Sequence, residues 1–183
     1  MSIGDAEIKT QERVIRFFKD PEILGYQYIG NLSDYQNKNI KEDRLRQYLR
    51  LKGYADKLID AAVMQLQQEA GNLSRGVYDA NKTVYSRLKY GIPVSESPEK
   101  PPVTVELIDE ANPLNNDFAI AEEVTVVEQQ EKRPDLVIYL NGIAVAVIEL
   151  KRSSISVSEG IRQNLTNQKD SFIRGFFTTM QFC

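Results

Sequence analysis

The chain has 183 residues, of which 42% are apolar and 27% are charged, and its formal net charge is −3. This length can bury a core without disulfides, and the composition is ordinary for a globular protein. Histidine is absent and the only cysteine is the final residue, which excludes histidine-based catalysis, a disulfide framework and a thiolate metal site. The sequence shows no signal peptide and no apolar run of membrane length, so we expect a cytoplasmic protein without membrane contact.

The first half of the sequence predicts mainly helices. Thr10 can cap a helix that runs to about residue 19, and a short strand is expected over 26–29. Apolar residues at helical spacing then predict helices over 42–51, 56–69 and 77–90. In the last of these, we interpret Tyr78, Tyr85 and Leu88 as packing residues and not as contacts to nucleic-acid bases.

The second half predicts strands, with one further helix. Residues 95–102 form a Pro/Ser-rich surface connector, and strands are expected over 103–108, 118–127 and 178–182. Ser156 to Glu159 match a capping box that opens a helix with Val157, Ile161 and Leu165 on one face. The predicted fold class is α/β, a mixed sheet with helices on its faces.

A hairpin between residues 135 and 151 is the most informative part of the sequence. Two apolar runs, 137–140 and 143–148, are joined by Asn141-Gly142, the strongest short hairpin signal. Three charged residues, Asp135, Glu149 and Lys151, lie at the open end of this hairpin. Charges there can also simply protect a sheet edge, but strands that are apolar on both faces favour a central position between layers.

The residue types at the open end fit metal-dependent phosphodiester hydrolysis. Mg²⁺ prefers a few carboxylate oxygens, a carbonyl and several waters. Asp135 and Glu149 can supply the carboxylate oxygens, and Leu150 can supply the backbone carbonyl. Since side chains alternate along a strand, Glu149 and Lys151 leave the same face, and the lysine can orient a metal-bound water. This pattern is typical of nucleases.

The register of the hairpin decides whether the two acids can share an ion. A regular two-residue turn pairs Leu140 with Ile143 and places Asp135 opposite Ile148, so that Asp135 and Glu149 point to opposite faces. A shared site therefore requires a longer loop, a bulge that adds one residue, or an Asp135 that has bent out of the ladder after Pro134.

The last third of the chain is its net basic portion. Residues 132–183 carry seven Lys and Arg against four Asp and Glu, whereas residues 1–131 carry sixteen against twenty-two. These cations can form a phosphate-facing patch around the acids, or an ordinary solvated surface. The candidates are Arg133, Lys151, Arg152, Arg162, Lys169 and Arg174.

Several blocks resemble the amino-terminal nuclease region of the restriction (motor) subunit of type I restriction-modification enzymes. They are 78–81, 88–94, 107–118, 133–137, 141–142 and 147–151, and the resemblance runs from about Glu12 to the end. It implies a restriction-endonuclease-like PD-(D/E)XK fold in one nuclease domain over 1–183. Residues 1–99 would form a mainly helical part, and 100–183 the sheet with the catalytic hairpin.

The resemblance also implies site residues. The family's PD-(D/E)XK motif falls on Asp135, Glu149 and Lys151. The glutamine of the following helix falls on Gln163, although Asn167 stands where the family has tyrosine and Gln168 competes for the glutamine position. Glu12 is where related folds can place an auxiliary acid, or it is a solvated charge favoured by the helix dipole.

The family's other parts define the expected partners and cofactors. Restriction subunits continue into ATP-driven motor domains, and no Gly-x-x-x-x-Gly-Lys-Ser/Thr loop is present here. We therefore expect a fragment of a longer subunit that cleaves double-stranded DNA with Mg²⁺, uses ATP only through the missing domains, and acts with methylation and specificity subunits. The alternative is a scaffold module that keeps the nuclease fold and docks the motor without cutting.

Overall fold

The computed structural model describes residues 3–97, 99–150 and 157–183, and these residues form a mixed α/β fold. The helices are α1 (Ile3–Lys19), α2 (Glu42–Leu51), α3 (Asp56–Gly71), α4 (Val77–Tyr90) and α5 (Val157–Asn167). The strands are β1 (Gln27–Asn31), β2 (Ile92–Val94), β3 (Val103–Val105), β4 (Phe118–Glu122), β5 (Val126–Val127), β6 (Glu131–Lys132), β7 (Leu136–Leu140) and β8 (Ile143–Ile148). Across this described part, no helix has both the length and the apolar character needed to cross a bilayer.

Four strands form the central sheet in the order β1-β4-β7-β8. β1 runs parallel to β4, while the β4-β7 and β7-β8 pairs are antiparallel. β2 pairs with β3, and β5 with β6, in two small antiparallel hairpins. The prediction of a mixed sheet with helices is confirmed, and the 95–102 connector is the loop that joins β2 to β3.

The two faces of the central sheet have different covers. On one face, Ile120 of β4 and Leu136 of β7 pack with Ile15 of α1. On the other, alternate residues of the same strands, such as Val137, pack with Phe176 and other residues of the carboxyl-terminal segment. Strand alternation therefore sorts β4 and β7 into two apolar faces, as expected for a sheet buried between layers.

α2, α3 and α4 form a separate helical core with β2 and β3. The α3 positions predicted to be buried, Ile59, Ala62, Val63 and Leu66, are all between 0 and 1% exposed. In α4, Leu88 is buried as predicted, whereas Tyr78 and Tyr85 are exposed and their interpretation as packing residues is wrong. The buried stripe of α4 consists of smaller aliphatic residues, which leaves the tyrosines facing solvent.

Several predicted element boundaries are wrong, including the end of the strand expected over 103–108, which stops at Val105. α1 begins at Ile3 and not at Thr10, because no helix breaker follows the Asp5-Ala6-Glu7 segment that favours a first turn. The strand expected over 118–127 is broken at Glu123, whose φ of 50° lies in the left-handed region. The strand expected over 178–182 is instead a 3-10 helix, Phe176–Thr179, followed by a single bridge from Phe182 to Ala146.

α5 is present, with its apolar side turned outward. Ile161 and Leu165 are 55% and 58% exposed, while Asn164 and Asn167 are buried. Ser156, the capping residue proposed from the sequence, lies outside the described residues. The polar face of α5 is thus the one that packs inward, on the side where its glutamine approaches the sheet.

Candidate active site

The closed end of the β7-β8 hairpin is a two-residue turn. Asn141 and Gly142 both have positive φ, 52° and 81°, which is the pattern of a type I′ turn. The turn lies against the start of α2, where the Lys41 N–H donates to the Gly142 carbonyl at 2.7 Å. The predicted hairpin is confirmed, and the longer loop offered as one solution to the register problem is absent.

A bulge in β8 changes the register between the turn and the open end. Leu140 pairs with Ile143, so paired residue numbers sum to 283 beside the turn, but Leu136 pairs with Ile148, where they sum to 284. The shift lies between Ile138 and Tyr139 on β7, opposite the extra residue Val145 on β8. This is the added residue that the shared site requires. Continued by one residue, the register places Asp135 opposite Glu149 and on the same face.

The carboxyl-terminal segment holds the bulged strand from its free edge. The carbonyl of Val145 accepts hydrogen bonds from the N–H groups of Gln181, at 2.7 Å, and Phe182, at 3.1 Å. The hydroxyl of Thr179 donates to the Ala144 carbonyl at 2.7 Å. Backbone groups that a bulge would leave unpaired are therefore satisfied, which stabilises the irregular register.

Contacts at the open end join both acids to one small region. The N–H of Leu150 donates to Asp135 Oδ2 at 2.6 Å, so the Asp135 carboxylate lies beside the peptide that follows Glu149. Gln163 Nε2 of α5 donates to Glu149 Oε2 at 2.8 Å. Asp135, Glu149 and Gln163 are all half-buried. The open end therefore combines two carboxylates and an amide in a partly desolvated place.

The competing positions on α5 have other surroundings. Asn167, at the position where tyrosine was expected, is 3% exposed, and its carbonyl accepts from the Ile173 N–H at 3.1 Å. Gln168 follows the last residue of the helix. Of Gln163, Asn167 and Gln168, it is Gln163 whose side chain hydrogen-bonds to Glu149. This contact favours the glutamine position taken from the resemblance.

Glu12 does not lie where the sequence placed it. Because α1 begins at Ile3, Glu12 is in the middle of the helix, and its side chain is exposed. The neighbouring Gln11 reaches the sheet instead and donates to Glu122 Oε2 at 2.8 Å. Gln11, Val14, Ile15 and Phe18 share one face at helical spacing, so the periodicity alone could have indicated Gln11.

Glu122 and Glu123, which the sequence reasoning missed, end the strand next to Asp135. Glu122 Oε1 accepts from the Tyr28 hydroxyl at 2.6 Å, and burial together with this carboxylate raises the pKa of Tyr28 to about 12. The N–H of Glu123 donates to the Asp135 carbonyl at 2.8 Å. Glu122 pairs with Leu136, so the two acids lie next to the start of β7. Their signal in the sequence is only the acidic pair at the end of an apolar strand.

The cations proposed from the sequence lie in different situations. Arg133 Nε pairs with Glu123 at 2.9 Å, and Arg174 pairs with Asp170. Arg162 and Lys169 are exposed. Lys151 and Arg152 lie outside the described residues. The structure thus leaves the DNA-contacting role of these cations as a prediction.

The donor set of the open end fits a hard divalent cation. Asp135 and Glu149 supply carboxylate oxygens, and Mg²⁺ commonly binds through one or two carboxylates while keeping several waters. Over the residues with described positions, no group of three or more acidic, cysteine or histidine side chains is placed to hold a metal. A site of two carboxylates completed by water lies within the coordination that Mg²⁺ accepts.

The fold and the open end define a mixed α/β domain with two acids and a glutamine at one end of its central sheet. The family model "Type I restriction enzyme R protein N terminus" matches residues 7–183. The chain therefore belongs to the family of amino-terminal regions of type I restriction enzyme R proteins. Among its relatives, the type I restriction enzyme MjaIXP endonuclease subunit of Methanocaldococcus jannaschii is 33% identical over 97 residues. That match covers 49% of this chain and 9% of the relative.

Proposed function

We propose that this chain is a Mg²⁺-dependent endonuclease domain that hydrolyses DNA phosphodiester bonds within a type I restriction enzyme R subunit. The observation that carries the proposal is the β8 bulge, because the register beyond it, continued by one residue from the Leu136–Ile148 pair, would set Asp135 opposite Glu149. The contact of Gln163 with Glu149 supports it. A restriction-endonuclease-like PD-(D/E)XK fold over 1–183 is part of the proposal, because the acids, the hairpin and the following helix occur in the order of that motif.

The residues have separate roles in this proposal. Asp135 and Glu149 would hold Mg²⁺, together with the backbone carbonyl of Leu150. Bound Mg²⁺ would lower the pKa of a water and act as a Lewis acid on the phosphate. Gln163 fixes the orientation of the Glu149 carboxylate, as partners of metal-binding carboxylates commonly do. Lys151 orients the attacking water and stabilises charge on the phosphate.

The resemblance and the family suggest the substrate, the partner subunits and the source of ATP hydrolysis. The matched relative is named an endonuclease subunit, and this chain spans less than a tenth of it. We propose that double-stranded DNA is the substrate, that methylation and specificity subunits choose the site, and that ATP is used by motor domains outside this sequence. The cleavage step then needs only the residues at the open end of the hairpin.

Cleavage of supercoiled plasmid by the complete R subunit with its partner subunits tests the proposal. We expect Glu149→Gln to reduce cleavage by at least about 1,000-fold, because the metal loses one of its two protein carboxylates. ATP hydrolysis should stay close to that of the wild type. Glu159→Gln, which changes an exposed acid on α5, is the matched control and should cleave normally. Cleavage by Glu149→Gln at the control rate would remove the enzyme assignment.

The outward apolar side of α5 favours a second function, docking of the motor without cutting. Ile161 and Leu165 are exposed one turn apart, beside the candidate site. If the domain is a scaffold, Ile161→Ser with Leu165→Ser weakens its association with the motor domains, as measured by pull-down. In that case Glu149→Gln leaves restriction of phage DNA unchanged. The two functions are therefore distinguished by whether Glu149 is required for restriction, or only Ile161 and Leu165.

A further inference from the structure

One side of α4 carries tyrosine and lysine side chains that stand in solvent. Tyr78 is 77% exposed and Tyr85 is 48% exposed, and Lys82 and Lys89 are also exposed. Their spacings of four, three and four residues place them in one row on the helix, about 16 Å long at 1.5 Å per residue. We call these four residues the α4 stripe.

The stripe is not needed to attach α4 to the domain. The opposite side of the helix buries Ala80, Val84 and Leu88. Asn81 Nδ2 donates to the carbonyls of Thr178, at 3.1 Å, and Met180, at 2.6 Å. The packing and hydrogen bonds of α4 are thus satisfied on its inner side, and two large aromatic rings remain available on the outer side.

The surface around the stripe is basic in an acidic chain. Residues 75–90 contain four cations and one acid, whereas the whole chain has a net charge of −3. That acid, Asp79, pairs with Arg75 at 3.1 Å, and Arg87 pairs with Glu69 at 2.8 Å. Within the described ranges, no carboxylate forms an ion pair with Lys82 or Lys89. The Lys82 and Lys89 ammonium groups are thus not neutralised by a described carboxylate, and that of Lys89 lies 5.6 Å from the centre of the Tyr90 ring.

We propose that the α4 stripe binds an unpaired, single-stranded stretch of DNA, as distinct from the intact duplex that is cleaved. The proposal rests on the proposed nuclease function and adds a binding surface to it. Lysines spaced along a row can follow successive phosphates, and exposed tyrosine faces can stack on unpaired bases, a combination typical of surfaces that bind single strands. An acidic protein partner could pair with the two lysines, but it would not explain why tyrosines alternate with them.

α4 is connected to β8, the strand that leads into Glu149. Asn81 of α4 bonds to the carbonyl of Met180, and the next residue, Gln181, donates to the carbonyl of the bulged Val145 at 2.7 Å. α4, the carboxyl-terminal segment and β8 are therefore joined by consecutive hydrogen bonds. DNA held on the stripe would be fixed relative to the strand that ends at the candidate site.

Fluorescence anisotropy with the 183-residue chain tests this surface. The probes are a labelled single strand of about 20 nucleotides and the corresponding duplex, measured in EDTA at several salt concentrations. The test variants are Lys82→Gln with Lys89→Gln, and Tyr78→Ala with Tyr85→Ala. The matched controls are Lys38→Gln with Lys57→Gln, and Tyr35→Ala, which change exposed residues elsewhere. Thermal melts confirm that the variants fold.

The lysine pair should bind about ten-fold more weakly near 0.1 M salt, and the slope of log affinity against log salt should fall by about two. The tyrosine pair should lose about five-fold or more on the single strand and less on the duplex. Binding of both DNAs by both test variants at the level of the controls would overturn the proposal. Because EDTA removes metal, this result is separate from loss of cleavage by Glu149→Gln.

Discussion

The two ends of the β7-β8 hairpin differ in the burial and hydrogen bonding of their polar side chains. At the closed end, Asn141 and Gly142 are buried, and every polar group of the Asn141 side chain has a partner. At the open end, Asp135 and Glu149 are half-buried and acidic. The closed end uses polar groups to hold the backbone in place, whereas the open end keeps two carboxylates partly solvated, where they could bind a hydrated cation.

The bulge between the two ends allows both arrangements in one hairpin. A type I′ turn fixes a regular register at the closed end, and that register would separate the two acids. The extra residue Val145 corrects it on the way to the open end. A regular two-residue turn and the proposed shared site are compatible because the bulge lies between them.

The largest effect on the closed end should come from Gly142→Ala. A Cβ at Gly142 would lie 2.6 Å from the Lys41 carbonyl and 2.8 Å from the Leu45 nitrogen, in a residue with φ of 81°. We expect a loss of about 3 kcal/mol in the free energy of unfolding, from backbone strain and overpacking together. Urea unfolding followed by circular dichroism measures it.

Gly53→Ala is the matched control, because Gly53 has a φ of 86° but nothing within 4 Å of an added Cβ. It should cost only about 1 kcal/mol. Equal losses for the two variants would show that the closed end is not tightly packed against α2, and would remove the contrast between the two ends.

Gln163→Ala should affect the open end more mildly than loss of an acid. Since Gln163 donates to Glu149 and is not itself a ligand, we expect cleavage by the complete enzyme to fall about 10- to 100-fold, with a matching loss in Mg²⁺ affinity. Gln168→Ala provides the comparison and should change cleavage by less than about two-fold. A greater loss for Gln168→Ala would transfer the glutamine role to that residue.

The smallest effect concerns Asp109, which belongs to the polar network beside the closed end. The Lys52 ammonium, at 2.8 Å, and then the Asn115 amide and the Asn112 N–H lower the pKa of Asp109 to about 2. A lowered folded-state pKa gives stability that is present above the ordinary value near 4 and is lost as pH falls from about 4 to about 2.

Urea unfolding at a series of pH values checks this sign. Asp109→Asn should be less stable than the wild type near pH 7, and the difference should shrink as pH falls through 4 toward 2. Asp56→Asn, on an exposed ion pair with Arg50, serves as the reference and should show little difference at any pH. If the difference in the free energy of unfolding between the wild type and Asp109→Asn grew at low pH, the assigned ion pair would be contradicted.

The sequence predicted the elements whose signals are local. The observed bounds of α2 and α4 are those predicted, and Asn141-Gly142 forms the expected turn. The requirement for an irregular register also followed from the sequence, because it needed only strand alternation and the positions of two acids. The position of the bulge could not be predicted from the sequence. The Val145 carbonyl accepts hydrogen bonds from Gln181 and Phe182, which lie far along the chain.

Other features of the site depend on tertiary packing that periodicity cannot show. The sequence placed Ile161 and Leu165 on one face of α5 but did not show that this face lies outward, with Gln163 and Asn164 turned inward. Glu123 breaks its strand by adopting a positive φ, which is uncommon for its residue type. The two candidate acids were proposed from chemistry and spacing, whereas their hydrogen-bond partners required the structure.

A double-mutant cycle on metal binding tests most directly whether the two acids form one site. Isothermal titration calorimetry with Mg²⁺ would compare wild type, Asp135→Asn, Glu149→Gln and the double variant, with Glu159→Gln as control. We expect each single variant to lose most of the affinity, and the double variant to lose no more than either single one, because both carboxylates hold one ion. Independent, additive losses, or binding that survives Glu149→Gln unchanged, would contradict a shared site at the open end of the hairpin.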